Sequence, residues 1–157
     1  MMGVTCTIVI TGNSARSSAR TCTMRTARNS ATAKATTKPV TAKGAPATAV
    51  TLGNISDLIR EVTRLYGNKR IWITEYGYQT NPPDSLFGVS WTQQAAYLLQ
   101  AFALARKNPR IDMMLWFLLK DEPGLGGWQS GLVTFGGRRK PAYAAFMRMA
   151  AATRAAP

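Results

Sequence analysis

The chain has 157 residues, which is room for one domain. It holds 20 Lys and Arg against 7 Asp and Glu, with no His and two Cys, so an ordinary zinc centre is excluded. No apolar run reaches the roughly 18 residues of a membrane span.

Charge and aromatic content divide the sequence near residue 50. Residues 1–50 carry seven basic residues and no acid, whereas residues 51–157 carry thirteen basic residues and all seven acids. All fourteen aromatic residues lie between Tyr66 and Phe146. Aromatic side chains dominate core energetics, so the first fifty residues have little from which to build a core. The opening ten residues lack a basic leader and make a weak signal peptide, and no compartment is indicated. Cys6 and Cys22 are compatible with one disulfide but not with a stapled scaffold. Residues 11–50 are almost entirely Ala, Thr, Ser, Arg, Lys, Gly and Pro. Such a segment cannot offset a backbone entropy cost of roughly 1–2 kcal/mol per residue. Residues 1–50 are therefore expected to be a low-complexity basic arm, either disordered or not natively coding, ahead of a body at 51–157.

In the body, Asn54 and Asp57 mark a helix start, and Gly67 marks its left-handed stop. Ile55, Leu58, Ile59, Val62, Leu65 and Tyr66 recur between them at helical spacing. Arg70 to Thr74 reads as a strand covered on both faces. The loop from Tyr76 to Val89 contains Asn81-Pro82-Pro83-Asp84, which forbids helix. Ser90 and Gln93 form a capping box. The helix that follows turns Trp91, Ala95, Leu98, Phe102 and Ala105 inward and ends at Asn108-Pro109.

Ile111 to Leu119 reads as a second buried strand, followed by a Gly-rich loop with Asp121, Glu122, Trp128 and Gln129. Leu132 to Phe135 suggests a small strand and turn. A last helix opens at Lys140-Pro141, with Tyr143, Phe146 and Met147 inward. The order helix, strand, helix, strand, helix predicts an α/β body with parallel strands. In such folds function gathers in the loops after the strand C-termini. Two parallel strands leave unpaired edges, and nothing else in the chain reads as a neighbour for them.

Glu75 closes the first of these strands, at the tip where an α/β barrel places catalytic groups. From residue type alone, the plainer reading is a solvated strand-end residue. The wider pattern is more specific. Trp72-Ile73-Thr74-Glu75-Tyr76-Gly77 resembles the seventh-strand motif of the clan A glycoside hydrolases, the (β/α)8-barrel superfamily that includes cellulases and β-xylosidases. Leu115-Trp116-Phe117 resembles their eighth strand. Gly127-Trp128-Gln129-Ser130-Gly131-Leu132 and Arg139-Lys140-Pro141-Ala142-Tyr143 resemble the closing loop and final helix, and the likeness covers residues 52–150 in order.

This resemblance implies the C-terminal part of a TIM (β/α)8 barrel, about strands 7–8 with flanking helices. It implies a retaining glycosidase acting on a β-linked carbohydrate, with Glu75 as nucleophile. Trp116 would be the platform beneath the sugar, with Tyr76, Tyr78 and Trp128 as further substrate contacts, and no cofactor is implied. Trp116 reads equally as barrel core, and Trp128 as loop packing. Asp121 and Glu122 read as loop charges, and Asp112 belongs at the opposite, stabilising end of its strand.

The sequence departs from the family in one respect. Retaining enzymes set two carboxyls about 5–5.5 Å apart, and the family's acid/base follows an Asn far upstream of the nucleophile. Here no acid precedes Asp57. The resemblance thus implies a truncated piece lacking its acid/base, to be completed by a missing upstream barrel portion. The alternative is a non-catalytic protein whose basic arm binds nucleic acid or an anionic surface, although that arm has no aromatics to stack on bases.

Overall fold

The structure, a computed structural model, describes residues 6–11, 20–22, 52, 55–85 and 88–154. In chain order these form β1 (Cys6–Thr11), β2 (Arg20–Cys22), α1 (Ile55–Tyr66), β3 (Arg70–Tyr76), β4 (Thr80–Asn81), β5 (Val89–Ser90), α2 (Trp91–Lys107), β6 (Ile111–Trp116) and α3 (Pro141–Arg154). Four strands form a sheet in the order β2-β1-β3-β6, and β4 and β5 form a separate parallel pair. The fold is mixed α/β with short parallel strands. No described helix is long and apolar enough to cross a membrane.

β3 and β6 run parallel, with Ile71 opposite Ile111 and Tyr76 opposite Trp116. β6 stops at Trp116 rather than Leu119, because β3 turns away at Gly77 and offers nothing beyond Tyr76 to pair with. A Cβ at Gly77 would lie 2.4 Å from the Phe117 carbonyl oxygen. This glycine is what lets the chain leaving β3 cross so close to the end of β6.

The arm corrects one expectation. β1 pairs antiparallel with β3, and β2 pairs antiparallel with β1. β3 therefore has a neighbour on each side, β6 from the body and β1 from a region judged too poor to supply one. The reason is local. Cys6-Thr7-Ile8-Val9-Ile10-Thr11 is almost wholly β-branched, and such residues fit a pleated surface without any aromatic among them. Cys22 stands opposite Ile8 in the register, not opposite Cys6. The coil expected in the rest of the arm, and the Asn54 cap, lie outside the described residues.

One core joins α1 and α2 to the sheet, with Leu58, Val62, Ile71, Ile73, Tyr76, Tyr78, Val89 and Tyr97 buried in it. Burying side chains of this size stabilises by about 1.5–3 kcal/mol each. α1 ends as expected at Gly67, whose φ of 78° is left-handed and whose N–H reaches the Thr63 carbonyl at 2.9 Å. Its inward stripe stops at Val62, since Leu65 and Tyr66 are exposed. A second cluster of Leu98, Leu132 and Ala142 joins α2 to α3, with Phe102 edge-on to Phe146 at 5.9 Å.

The Ser90–Gln93 capping box forms in both directions. Val133 makes only isolated bridges, to Lys120 and Arg139, where a small strand was expected. Met147 is exposed, and Ala142 and Ala145 take the inward face of α3 with Phe146 half-buried. β3 is not covered on both faces either. Ile71 and Ile73 are buried, while Trp72 between them is 37% exposed.

Candidate active site at the C-terminal end of the parallel pair

Because β3 and β6 are parallel and in register, each end of the pair gathers its own residues. Arg70 and Asp112 form a salt bridge at the N-terminal end. Glu75 and Trp116 both lie toward the C-terminal end, where Trp116 is paired with Tyr76 and the Phe117 N–H reaches the Tyr76 carbonyl at 2.9 Å. Asp112 thus lies at the end away from Glu75.

The way Glu75 is presented follows from a slip in the ladder. On the β1 side, Thr7 pairs with Glu75 but Ile8 pairs with Ile73, so β3 advances two residues where β1 advances one. On the β6 side, Met114 pairs with Ile73 and Trp116 with Tyr76, so β3 again holds one residue too many. Ile71, Ile73 and Tyr76 all enter the same buried cluster. The extra residue leaves Thr74 and Glu75, both half-buried, between two core positions. A bulge of this kind re-aims a side chain that strict alternation would have buried. Here it leaves Glu75 half-buried and gives the next core position to Tyr76.

Tyr76 and Tyr78 are not at the mouth of this end. Both are buried, with their hydroxyls 2.9 Å apart and their rings edge-on at 5.7 Å. Tyr78 also packs on Tyr97 at 5.1 Å, and burial pushes its phenol well above the ordinary tyrosine range. The two rings form the floor under the strand end. The change of phase after Thr74, which the sequence does not announce, is what buries Tyr76.

Trp116 is half-buried, meets Tyr76 edge-on at 6.2 Å and donates from Nε1 to the Ser130 carbonyl at 2.9 Å. Trp128 is half-buried in the following loop, edge-on to Phe117 at 5.5 Å. Its backbone N–H donates to Glu122 Oε2 at 2.8 Å. Glu122 is therefore a brace for the loop that carries Trp128.

Sequence reasoning missed what fixes these loops. Lys140, at the start of α3, is buried and donates to Asp121 and to Thr80 Oγ1, both at 2.8 Å, and to the Gln129 carbonyl at 3.0 Å. Asp121, expected to be a loop charge, is buried as well and accepts from the Gly131 N–H. Burial pushes the Asp121 carboxyl up and the Lys140 ammonium down, and the attraction between them opposes both shifts. Gln94, fully buried on α2, donates from Nε2 to the carbonyls of Tyr78, Ser130 and Gly131 at 3.1–3.3 Å. The Gln129 N–H donates to Gln79 Oε1. The loop after β3 and the loop after β6 are thus tied together by Gln94 of α2 and by Lys140, the residue just before α3. A signal for Gln94 was available, since it falls on the same helical face as Leu98, Ala101 and Ala105.

No protein-family model matches the chain, and no curated protein matches it. Among solved structures the chain is similar to the β-glucuronidase of Ruminococcus gnavus. Three structures of that enzyme, in complex with uronic deoxynojirimycin, uronic isofagomine and N1-substituted uronic isofagomine, each align at 21% identity with a TM-score of 0.40. The alignment covers 50% of this chain and 15% of that one, so the chain matches a small part of that enzyme's length. The likeness is weak and partial.

Proposed function

We propose that residues 51–157 are part of a glycoside hydrolase domain of the (β/α)8-barrel type, carrying the nucleophile of a retaining glycosidase at Glu75. The observation that carries this reading is the position of Glu75 at a register shift near the C-terminal end of a parallel strand pair, next to the Tyr76–Trp116 pair. The motif resemblance from Trp72 to Tyr143 supports it independently. In this reading Glu75 attacks the anomeric carbon of a β-linked carbohydrate as the leaving group departs. Trp116 offers the exposed part of its ring to the C–H face of the sugar, and Trp128 contacts a more distant unit. Tyr76 and Tyr78 act from beneath, by holding the strand end.

The proton donor is not obvious among the other six carboxylates. Asp57 and Glu61 pair with arginines on α1, and Asp112 pairs with Arg70 at the far end. Asp121 is paired with Lys140, and Glu122 holds the Trp128 backbone. Asp84 lies in the loop after β4, and its sequence context does not match the family's acid/base motif. The second carboxyl would come from a further barrel segment. Barrel strands are all parallel, whereas β1 runs antiparallel along β3. Such a segment would have to displace β1 or join along β6.

A nucleophile without its acid makes a specific kinetic prediction. Protonation of the leaving group matters little when that group is already a good anion. The purified chain should hydrolyse dinitrophenyl β-glycosides far faster than methyl β-glycosides, and Glu75→Gln should abolish the first activity. Equal activity in wild type and Glu75→Gln would overturn the proposal.

A further inference from the structure

Between the first turn of α2 and the start of α3 lies an open cavity of about 630 Å³, lined by Trp91, Arg138, Arg139, Tyr143, Met147 and Arg148 among others. We propose that it binds a tetrahedral oxyanion, a phosphate or sulfate ester, carried on a small polar molecule. This proposal does not depend on the glycosidase reading.

The cavity is built around guanidinium groups held in place. Arg138 lies over the Trp91 ring at 4.9 Å, and Arg139 lies over the Tyr143 ring at 4.6 Å. Trp91 is itself anchored, since its Nε1 donates to the Pro82 carbonyl at 3.0 Å. A guanidinium stacked on a ring has lost much of its rotational freedom already, yet keeps its N–H edges open for a bidentate acceptor. Binding an oxyanion there costs less ordering than at a free arginine.

The charge at this place is also uncompensated. Arg60, Arg64 and Arg70 each have a carboxylate partner, but among the described residues Arg138, Arg139 and Arg148 have none. α3 begins here with no acid in its first turn. The positive end of the helix dipole therefore adds to the arginines, an arrangement that favours an anion. The nearby Lys140 ammonium is already satisfied by Asp121 inside the protein and does not compete for the ligand.

Each guanidinium covers one face of its ring and leaves its own edges for a charged acceptor. The volume exceeds that of a bare oxyanion and leaves room for the group that bears it.

Calorimetry on the full chain at physiological salt tests this with glucose 6-phosphate, glucose 6-sulfate and glucose. The expected result is one-to-one binding of at least one ester, with no binding of glucose; the tighter ester identifies the preferred anion. Arg138→Gln/Arg139→Gln should weaken it about tenfold or more, since paired charge-assisted hydrogen bonds are lost. Arg148→Gln should weaken it less. Lys107→Gln, which removes one charge at the far end of α2, should leave it unchanged. All four side chains are exposed, and circular dichroism checks that each variant folds. Absence of binding by both esters, equal binding of glucose, or an equal loss in Lys107→Gln would each overturn the proposal. So would binding of a DNA oligonucleotide that neither ester can displace.

Discussion

The two ends of the β3–β6 pair carry the same kind of interaction in opposite settings. At the N-terminal end, Arg70 and Asp112 meet in the open, with side chains 47% and 33% exposed. At the C-terminal end, Lys140 and Asp121 meet at 0% and 2% exposure, with Thr80, Gln129 and Gly131 completing their hydrogen bonds. Solvent screens the first pair and has left the second. The end that presents Glu75 thus holds the ion pair whose loss costs more. Pre-organisation of the site loops, rather than stability in general, is what a buried and fully bonded pair can supply there.

The largest effect should come from breaking the buried pair on one side only. Lys140→Met leaves Asp121 buried without a counter-charge and should cost roughly 3–5 kcal/mol in urea unfolding. Lys140→Met/Asp121→Leu should recover a large part of that loss, because no charge then remains buried. If the double variant is as unstable as the single one, shape rather than charge governs this end.

Gly77→Ala comes next. Its Cβ would meet the Phe117 carbonyl and the Ser130 side chain, and overpacking of this kind costs about 1–3 kcal/mol. A fully tolerated Ala, judged by unchanged unfolding midpoint, would mean that the close approach after Glu75 is not required.

Tyr78 sharpens the comparison through pH. Its folded-state pKa is raised by burial, so its contribution is fully present below the unfolded value of about 10 and is lost as pH rises toward the folded value. Alkaline titration should show phenol ionisation at 295 nm accompanied by loss of ellipticity. Ionisation of all tyrosines near pH 10 with structure intact would contradict the buried floor.

The smallest effect belongs to the exposed end. Arg70 holds the Asp112 carboxyl below the usual carboxylate range, so this pair contributes above the unfolded pKa of about 4 and fades as pH falls through the folded value. Asp112→Asn should change stability little at neutral pH, and less still in high salt. A large salt-insensitive loss would show that the two ends are not as different as their exposure suggests.

Much of the body was legible because each element carried its own punctuation. Gly67, the Ser90–Gln93 box and Asn108-Pro109 mark real boundaries, and Ile71, Ile73, Leu98 and Ala105 announce their burial by spacing and type. The misses share a cause, which is that they depend on contacts distant in sequence. β1 was overlooked because aromatic content stood in for β-propensity. The bulge at Thr74 exists only relative to β1 and β6, so neither the burial of Tyr76 nor the half-burial of Glu75 could be read from alternation. Lys140 and Asp121 look like surface charges until two loops close over them.

The most direct test of the account asks whether Glu75 can bond to a sugar carbon. A dinitrophenyl β-glycoside with fluorine in place of its 2-hydroxyl slows both chemical steps, while its leaving group needs no proton and restores the first. Incubation of the chain with such a reagent, followed by peptide mass spectrometry, should give one glycosyl adduct on the peptide containing Glu75 and none in Glu75→Gln. An adduct on another carboxylate, or none on a chain shown to be folded, would contradict the assignment of Glu75 as nucleophile.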